Sequence, residues 1–181
     1  MHTIKLHLGC GKRNFGSDWI HIDGSSYDHI KYHNILKLPF DDNSVDLIYA
    51  SHVLEYFDRE EVINVLNEWK RVLKPKGILR LAVPNFEAMV NLYSAGHKLE
   101  KFLGPIFGKW KMTESETIYH KTVYDPENLE KVLQNVGFNN IKLWDWKNTE
   151  HSQIDDYSQA YIPHMDKKHG TLISLNMEAT K

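Results

Sequence analysis

Two glycines and a downstream aspartate are the residues whose types and spacing first suggest chemistry. In the stretch LHLGCGKRNFGSDWIHIDG, one apolar run ends at Gly9 and Gly11, and a second short apolar run ends at Asp23. Glycines at such a turn let the backbone approach a ligand closely, and a carboxylate can accept hydrogen bonds from both hydroxyls of a ribose. The pattern favours an adenosine-containing ligand, although a tight turn followed by a surface aspartate would give the same residues.

The spacing argues against a ligand that is held through its phosphates. A dinucleotide fingerprint needs G-x-G-x-x-G and an acid about 20 residues further on. Here Asn14 stands at the third glycine position, and Asp23 follows Gly11 after only about a dozen residues. The Gly-Lys-Ser/Thr of a P-loop is also missing from this stretch. S-adenosylmethionine, which carries an amino acid tail instead of phosphates, fits the glycine pair and the early acid better.

Composition narrows the class of protein. The 181 residues suit a single domain, 1–181. A net charge of −2 with scattered lysines gives no electrostatic footprint for nucleic acid, and no apolar run reaches the roughly 18 residues of a membrane-spanning helix. The single cysteine excludes an intrachain disulfide, and strand-like residues at the start leave no room for a signal peptide. We therefore expect a cytoplasmic protein with a small-molecule substrate and with neither nucleic acid nor membrane as partner.

Strand-like and helical segments alternate along the chain, which predicts an α/β fold with a doubly wound, mostly parallel Rossmann-like sheet. The predicted strands are 4–8, 19–22, 31–35, 45–50, 78–83, 141–146 and 171–177. Asp58, with Glu61 three residues later, is predicted to cap the clearest helix, and Asp125 caps another. Because no helix is predicted between the last two strands, we expect about seven strands with the last one antiparallel.

Residues 33–86, which read HNILKLPFDDNSVDLIYASHVLEYFDREEVINVLNEWKRVLKPKGILRLAVPNF, resemble the class I S-adenosylmethionine-dependent methyltransferases of the type 11 domain group. In that family LPF-x-D-x-S-x-D precedes the fourth strand, a His-x-Leu-Glu-like segment follows it, and RVLKPGG leads into the fifth. Residues 125–143 are similar to the family's final helix and sixth strand. The resemblance covers about residues 4–146 and implies S-adenosyl-L-methionine as cofactor and methyl transfer as activity.

The resemblance also implies a cofactor site, with a glycine loop at the amino acid tail, an acid at the ribose, and later segments beside the adenine and the methyl group. The expected cofactor-binding residues are Gly9, Cys10, Gly11, Asp23, Asn34, Ile35, Leu38, Ser51 and His52. Asn34 departs from the family, which often has Asp there, but an amide can also hydrogen-bond adenine.

The beginning of the chain departs from the family in two ways. A full helix usually joins the first two strands, but only about ten residues separate Leu8 from Trp19, which is too few for a normal crossover. We therefore expect a shortened crossover, formed by a turn or a single helical turn. We also expect no N-terminal helices of the kind that often cover the family's pocket. We expect residues 86–124 and 147–170, here called the lid segments, to cover the substrate side.

Two histidines are the candidate catalytic residues. A hydroxyl acceptor benefits from a general base near neutral pH, which histidine supplies. His52 follows a sheet strand at its carboxyl end, where open α/β sheets bind ligands, and Glu55 is interpreted as its polar partner. His120 resembles a family position near the substrate mouth. The histidines show no zinc-like spacing, and we predict no metal site.

Three functions follow as hypotheses. The first is methylation of a small molecule, with O-methylation of a sugar or related hydroxyl compound favoured, because similar short family members are associated with surface-polysaccharide biosynthesis. The second is a catalytically silent protein or partner subunit that binds S-adenosylmethionine or S-adenosylhomocysteine. The third is an NAD-dependent oxidoreductase, which the missing third glycine disfavours.

Overall fold

The protein has an α/β fold, in which helices pack on a β-sheet. The computed structural model describes residues 3–111 and 116–181. The strands are β1 (Lys5–Leu8), β2 (Ile20–Ile22), β3 (Ile30–Tyr32), β4 (Val45–Ser51), β5 (Leu73–Pro84), β6 (Trp110–Lys111), β7 (Thr117–Ile118), β8 (Asn139–Leu143), β9 (Tyr161–Ile162), β10 (Thr171–Leu172) and β11 (Ser174–Thr180). The α-helices are α1 (Glu61–Val72), α2 (Phe86–Ser94), α3 (Glu100–Phe107) and α4 (Pro126–Val136).

Seven of these strands form one sheet in the order β3-β2-β1-β4-β5-β11-β8. The pairs from β3 to β5 are parallel, whereas β11 is antiparallel to both of its neighbours. This confirms the predicted α/β, mostly parallel sheet with an antiparallel last strand. It also places the carboxyl ends of β1, β2 and β4 side by side at one edge, which is where open sheets of this kind bind ligands.

Of the two predicted helix caps, the one at Asp125 is confirmed. Asp58 and Glu61 do exchange two hydrogen bonds, from the N–H of Glu61 to Asp58 Oδ1 at 2.8 Å and from the N–H of Asp58 to Glu61 Oε2 at 3.0 Å. However, α1 begins at Glu61 with Glu60 at its N-cap position, so Asp58 lies in the turn before the helix. Asp125 caps α4 through the N–H of Asn128 at 2.8 Å. Gly137 ends α4 with a φ of 84°, the left-handed conformation that glycine adopts without strain. No helix in the described ranges is long and apolar enough to cross a bilayer.

Several strand limits differ from the prediction. β3 ends at Tyr32, so Ile35 belongs to the following loop. β8 ends at Leu143, and the Nε1–H of the following Trp144 donates to the carbonyl of Leu81 at 2.9 Å. The predicted strand 171–177 is divided, since β10 pairs with β9 and only β11 joins the main sheet. Tertiary pairing, which local pattern does not encode, sets these limits.

The first crossover is shortened as predicted. The described residues between Leu8 and Ile20 form turns and extended loop with no helix. The connections between β2 and β3 and between β3 and β4 also lack helices. One face of the sheet is covered by α1 and α4, with Leu6, Leu8 and Trp69 in its core. Other residues must therefore pack on the opposite face of the sheet.

A cluster of aromatic and imidazole side chains packs on the opposite face of the sheet. It is here called the histidine cluster and consists of His7, Phe15, Trp19, His21, Tyr49 and His151. His7 alternates with Leu6 and Leu8 along β1 and therefore points to the opposite face. Phe15 from the shortened crossover stacks between His7 and His151, with ring centroids 3.9 and 4.0 Å apart. The aromatic loop residues thus occupy the place of a crossover helix.

Acid should destabilise the fold through this cluster. Burial lowers the pKa of His7, and it lowers the pKa values of His21 and His151 to about 4. Between pH 6.5 and 4 the unfolded chain therefore binds protons that the folded chain does not. The free energy of unfolding is expected to fall by at most about 1.4 kcal/mol per pH unit for each such histidine, with the steepest loss near pH 5. Denaturant titrations at pH 7, 6, 5 and 4 measure this loss.

His151→Phe is the matched variant for this prediction. Both ring nitrogens of His151 are buried without a hydrogen-bond partner in the described part of the chain, and the ring stacks on Phe15 at an interplanar angle of 9°. A phenyl ring keeps this stacking and cannot titrate. The variant is expected to be more stable than the wild type at pH 5 and to lose less stability between pH 6.5 and 4. Equal pH slopes in the two proteins would contradict the assignment.

Candidate active site

A cavity of about 1150 Å³ opens at the carboxyl ends of the central strands. The loops after β1, β2, β3 and β4 line one side of it, and residues of both lid segments line the other. Residues 112–115 of the first lid segment lie outside the described residues. Of the predicted site residues, those that line the cavity are Gly9, Gly11, Asp23, Asn34, Ile35, Ser51, His52 and His120.

The glycine loop needs both of its glycines in unusual conformations. Gly9 has a φ of 62° and Gly11 a φ of 52°, in the left-handed region that other residues rarely adopt. A Cβ on Gly9 would lie 2.2 Å from Val53 Cγ2, so the close approach of the loop to the segment after β4 requires glycine. A Cβ on Gly11 would lie 3.8 Å from the Trp110 ring, its nearest neighbour. The loop of residues 9–11, here called the glycine cradle, therefore faces the cavity.

Asp23 connects this cradle to the end of β2. Its Oδ2 accepts the backbone N–H of Gly11 at 2.8 Å, and its Oδ1 accepts the N–H and hydroxyl of Ser25 at 2.8 and 2.5 Å. Each carboxylate oxygen has two lone pairs. Acceptor capacity therefore remains on Oδ2 for a ligand hydroxyl in the cavity, and the carboxylate is already held in place.

The segment after β3 flanks the same end of the cavity. Asn34 is exposed there, and its Oδ1 accepts the backbone N–H groups of Leu36 and Lys37 at 2.8 and 3.2 Å, which leaves the amide N–H₂ free to donate. Ile35 and Leu36 add apolar contact surface. Leu38 is buried away from the lining, where its N–H donates to Glu68 Oε1 at 2.7 Å.

Cys10 also lies outside the cavity lining. Its side chain is fully buried, and its Sγ is 3.8 Å from His29 Nε2. Burial, followed by the nearby Asp23 carboxylate, raises the pKa of the thiol to about 12. A buried thiol with a raised pKa is a weak nucleophile, which fits a packing role for this side chain. Only the Cys10 backbone, as part of the cradle, is in position to serve a cofactor.

His52 shares a buried carboxylate with His120. His52 Nδ1 lies 3.1 Å from Glu55 Oε1, and His120 Nε2 lies 3.7 Å from the same oxygen. Glu55 is fully buried. His52 has a φ of 54°, so the backbone turns sharply at the end of β4 to present this ring. Burial lowers the pKa of His120, whose Nδ1 lies 3.0 Å from the carbonyl oxygen of Pro105.

The arrangement suits proton abstraction by His52. The carboxylate of Glu55 favours a proton on Nδ1, which leaves Nε2, 3.4 Å from the Ser174 hydroxyl, to accept a proton. The Nδ1 contact is not aligned as a hydrogen bond in this state, and catalytic hydrogen bonds commonly tighten only with substrate bound. Sequence reasoning identified Glu55 as a partner of His52, but it gave no sign that His120 reaches the same oxygen.

Arg13 is a site residue that sequence reasoning missed. It lines the cavity beside the cradle, and its Nε donates to the carbonyl of Asp155 at 3.1 Å. Its guanidinium carbon lies 4.6 Å from the centroid of the Tyr157 ring. The signal in the sequence is a basic residue directly after the glycine loop, but the contact with the second lid segment depends on the fold.

Known proteins resemble this chain in sequence and in fold. A family model described as a methyltransferase domain matches residues 17–81. A demethylmenaquinone methyltransferase of Staphylococcus haemolyticus is 29% identical over 126 residues, 64% of this chain and 49% of that protein. A demethylmenaquinone methyltransferase of Staphylococcus aureus is 30% identical over 132 residues, 66% of this chain and 52% of that protein. The chain thus spans about half the length of the curated relatives it matches.

Solved structures share the whole architecture at low identity. An S-adenosylmethionine-dependent methyltransferase of Methanosarcina mazei is 18% identical with a TM-score of 0.60, covering 100% of this chain and 93% of that chain. One from Archaeoglobus fulgidus is 15% identical with a TM-score of 0.59, covering 99% and 86%.

The chain has the fold of S-adenosylmethionine-dependent methyltransferases, and its residues 17–81 match a methyltransferase domain. S-adenosyl-L-methionine is the cofactor of this class, and the residues present fit it. The glycine cradle admits a close backbone approach, Asp23 retains acceptor capacity for the ribose, and Asn34 and Ile35 offer a donor and an apolar surface for the adenine.

Proposed function

We propose that the protein transfers a methyl group from S-adenosylmethionine to a hydroxyl-bearing small molecule, with His52 as the general base. The observation that carries this proposal is the pairing of His52 with the buried Glu55 at the carboxyl end of β4, on the wall of the cavity that also holds the glycine cradle. A site that only bound the cofactor would have no need of a buried carboxylate aimed at a histidine in this place.

The proposed step is a single displacement. The bound cofactor would supply a methyl group on a positively charged sulfur. As the new carbon–oxygen bond forms, the carbon–sulfur bond breaks and the sulfur keeps its electron pair as a neutral thioether. His52 Nε2 takes the proton of the acceptor hydroxyl as that bond forms, and Glu55 stabilises the resulting imidazolium across the 3.1 Å contact. The remaining contribution of the chain is to align the acceptor and exclude water.

A sugar or related hydroxyl compound is the favoured acceptor. The wall opposite the cradle combines rings with polar groups, including Tyr157, Tyr161 and Trp110 beside Gln159 and His164. Ring faces stack on the apolar faces of sugars while polar side chains bind their hydroxyls, so this mixture suits a carbohydrate. The resemblance of the sequence to short members associated with surface polysaccharides points to the same acceptor class.

A quinone-like acceptor is the second candidate, because two observations favour it. The curated relatives reported above are demethylmenaquinone methyltransferases. In the first lid segment, Leu99, Leu103 and Phe107 follow one another at helical spacing and are 53, 41 and 58% exposed, an apolar surface stripe that suits the approach of a hydrophobic acceptor. An aromatic hydroxyl is more acidic than a sugar hydroxyl and is the easier group for histidine to deprotonate.

A methyl-transfer assay separates these candidates. The protein is incubated with methyl-tritiated S-adenosylmethionine and either nucleotide sugars and free sugars or reduced quinones. We expect acceptor-dependent release of S-adenosylhomocysteine, with the label recovered on the sugar. Label on the quinone would favour the second candidate. Binding of S-adenosylhomocysteine without turnover of any acceptor would overturn the proposed reaction in favour of a catalytically silent binding protein.

A further inference from the structure

The shortened crossover removes a structural element that would face the cofactor's tail. A helix that begins after a glycine loop presents free N–H groups and the positive end of its dipole, which stabilise an anion. The described residues between Gly11 and Ile20 form turns with no helix. The carboxylate of a bound amino acid tail therefore needs another positive partner.

Arg13 has the position and the free donors for this role. It lies two residues beyond Gly11, and its backbone N–H donates to the Cys10 carbonyl at 3.0 Å, which fixes the turn. Its side chain lines the cavity and uses only Nε, in the 3.1 Å contact with Asp155. Within the described ranges the two Nη groups have no hydrogen-bond partner, so the face of guanidinium that matches a carboxylate remains available.

The contacts of Arg13 also connect the cradle with the second lid segment. The Tyr157 ring lies under the guanidinium at 4.6 Å and packs against the His52 ring, with centroids 5.3 Å apart. An anion that holds Arg13 in place therefore also holds Tyr157 against His52. The chain of contacts runs from the cofactor's tail to the general base.

We propose that Arg13 binds the carboxylate of the cofactor's amino acid tail in place of the absent helix, and so fixes residues 155–157 over the base. The inference rests on the proposed function. It adds a residue and a coupling that the glycine pattern does not contain: cofactor occupancy orders the lid segment through Arg13 and Tyr157. The carboxylate of S-adenosylhomocysteine is the chemical group recognised.

Calorimetry with two ligands tests whether Arg13 binds the carboxylate of the amino acid tail. S-adenosylhomocysteine has the carboxylate, whereas 5′-methylthioadenosine keeps the adenosine and the thioether but has no amino acid tail. Arg13→Ala is expected to weaken binding of S-adenosylhomocysteine about 10- to 100-fold, as for loss of a bidentate ion pair, and to leave binding of methylthioadenosine within about 2-fold of wild type, as a surface substitution does. Arg13→Lys should recover part of the loss. Lys12→Ala, at the exposed neighbour, is the matched control and should change neither affinity.

Hydrogen exchange tests whether the bound amino acid tail orders the second lid segment. In the wild type, S-adenosylhomocysteine should slow amide exchange in residues 155–162, whereas methylthioadenosine should not.

Equal weakening of both ligands in Arg13→Ala would show that Arg13 only supports the loop, and unchanged binding of both would show that it does not contact the tail; either result overturns the proposal. Wild-type protein that binds neither ligand would instead overturn the proposed function.

Discussion

Replacing His52 with asparagine is expected to lower kcat by about 100-fold or more, since a positioned general base contributes roughly 10²- to 10⁴-fold to a rate. Asparagine tolerates the φ of 54° at this position better than most residues, so the backbone at the end of β4 should persist. It cannot accept the acceptor's proton as imidazole does. Initial rates of S-adenosylhomocysteine release, with calorimetry of S-adenosylhomocysteine binding, measure the two effects separately.

Two further variants sharpen this prediction. Glu55→Gln keeps the size of the buried side chain but removes the charge that stabilises the His52 imidazolium, so kcat should fall while KM for the acceptor changes little. His169→Asn makes the same substitution at an exposed histidine and should behave as wild type. A His52→Asn protein with kcat within a few-fold of wild type would show that the acceptor loses its proton to water or to another group.

Replacing Asp23 with alanine is expected to weaken S-adenosylhomocysteine binding by about 10- to 100-fold, because the hydrogen bond from one ribose hydroxyl to a carboxylate is worth about 1.5–3 kcal/mol. The substitution also releases the N–H of Gly11, which Asp23 Oδ2 holds at 2.8 Å, and so loosens the cradle. Calorimetry measures the affinity. Asp28→Ala removes the same charge from an exposed position in the same segment and is the matched control.

A ligand without one ribose hydroxyl separates the two roles of Asp23. Wild-type protein should bind S-adenosylhomocysteine more tightly than its 2′-deoxy analogue, whereas Asp23→Ala should no longer distinguish them. If the wild type binds both ligands equally, Asp23 acts only as the anchor of the loop and the ribose assignment is wrong.

Local signals predicted much of the fold and part of the site. The cap at Asp125, the paired hydrogen bonds between Asp58 and Glu61, and the α/β class all depend on neighbouring residues, and the structure contains them. The same is true of the short crossover, because chain length alone limits what ten residues can form. Gly9 and Gly11 were identified by residue type, although the reason for Gly9, its approach to Val53, is a tertiary contact.

The remaining features depend on residues that are distant in sequence. Leu38 and Cys10 were predicted at the site from their positions in the motifs, but their side chains are turned into the core. The histidine cluster joins His7, Phe15 and His151, and no local pattern relates them. Likewise, Arg13 meets Tyr157 only because the second lid segment folds back over the cradle. Side-chain direction and long-range packing decide these contacts.

The central claim is that the glycine cradle and Asp23 form a site for S-adenosylmethionine. The most direct measurement is calorimetric titration of the wild-type protein with S-adenosylmethionine and with NAD, repeated on Asp23→Ala. The account predicts saturable one-site binding of S-adenosylmethionine, no binding of NAD, and S-adenosylmethionine binding that is at least about 10-fold weaker in the variant. Binding of NAD in place of S-adenosylmethionine, or binding of S-adenosylmethionine that Asp23→Ala leaves intact, would contradict it.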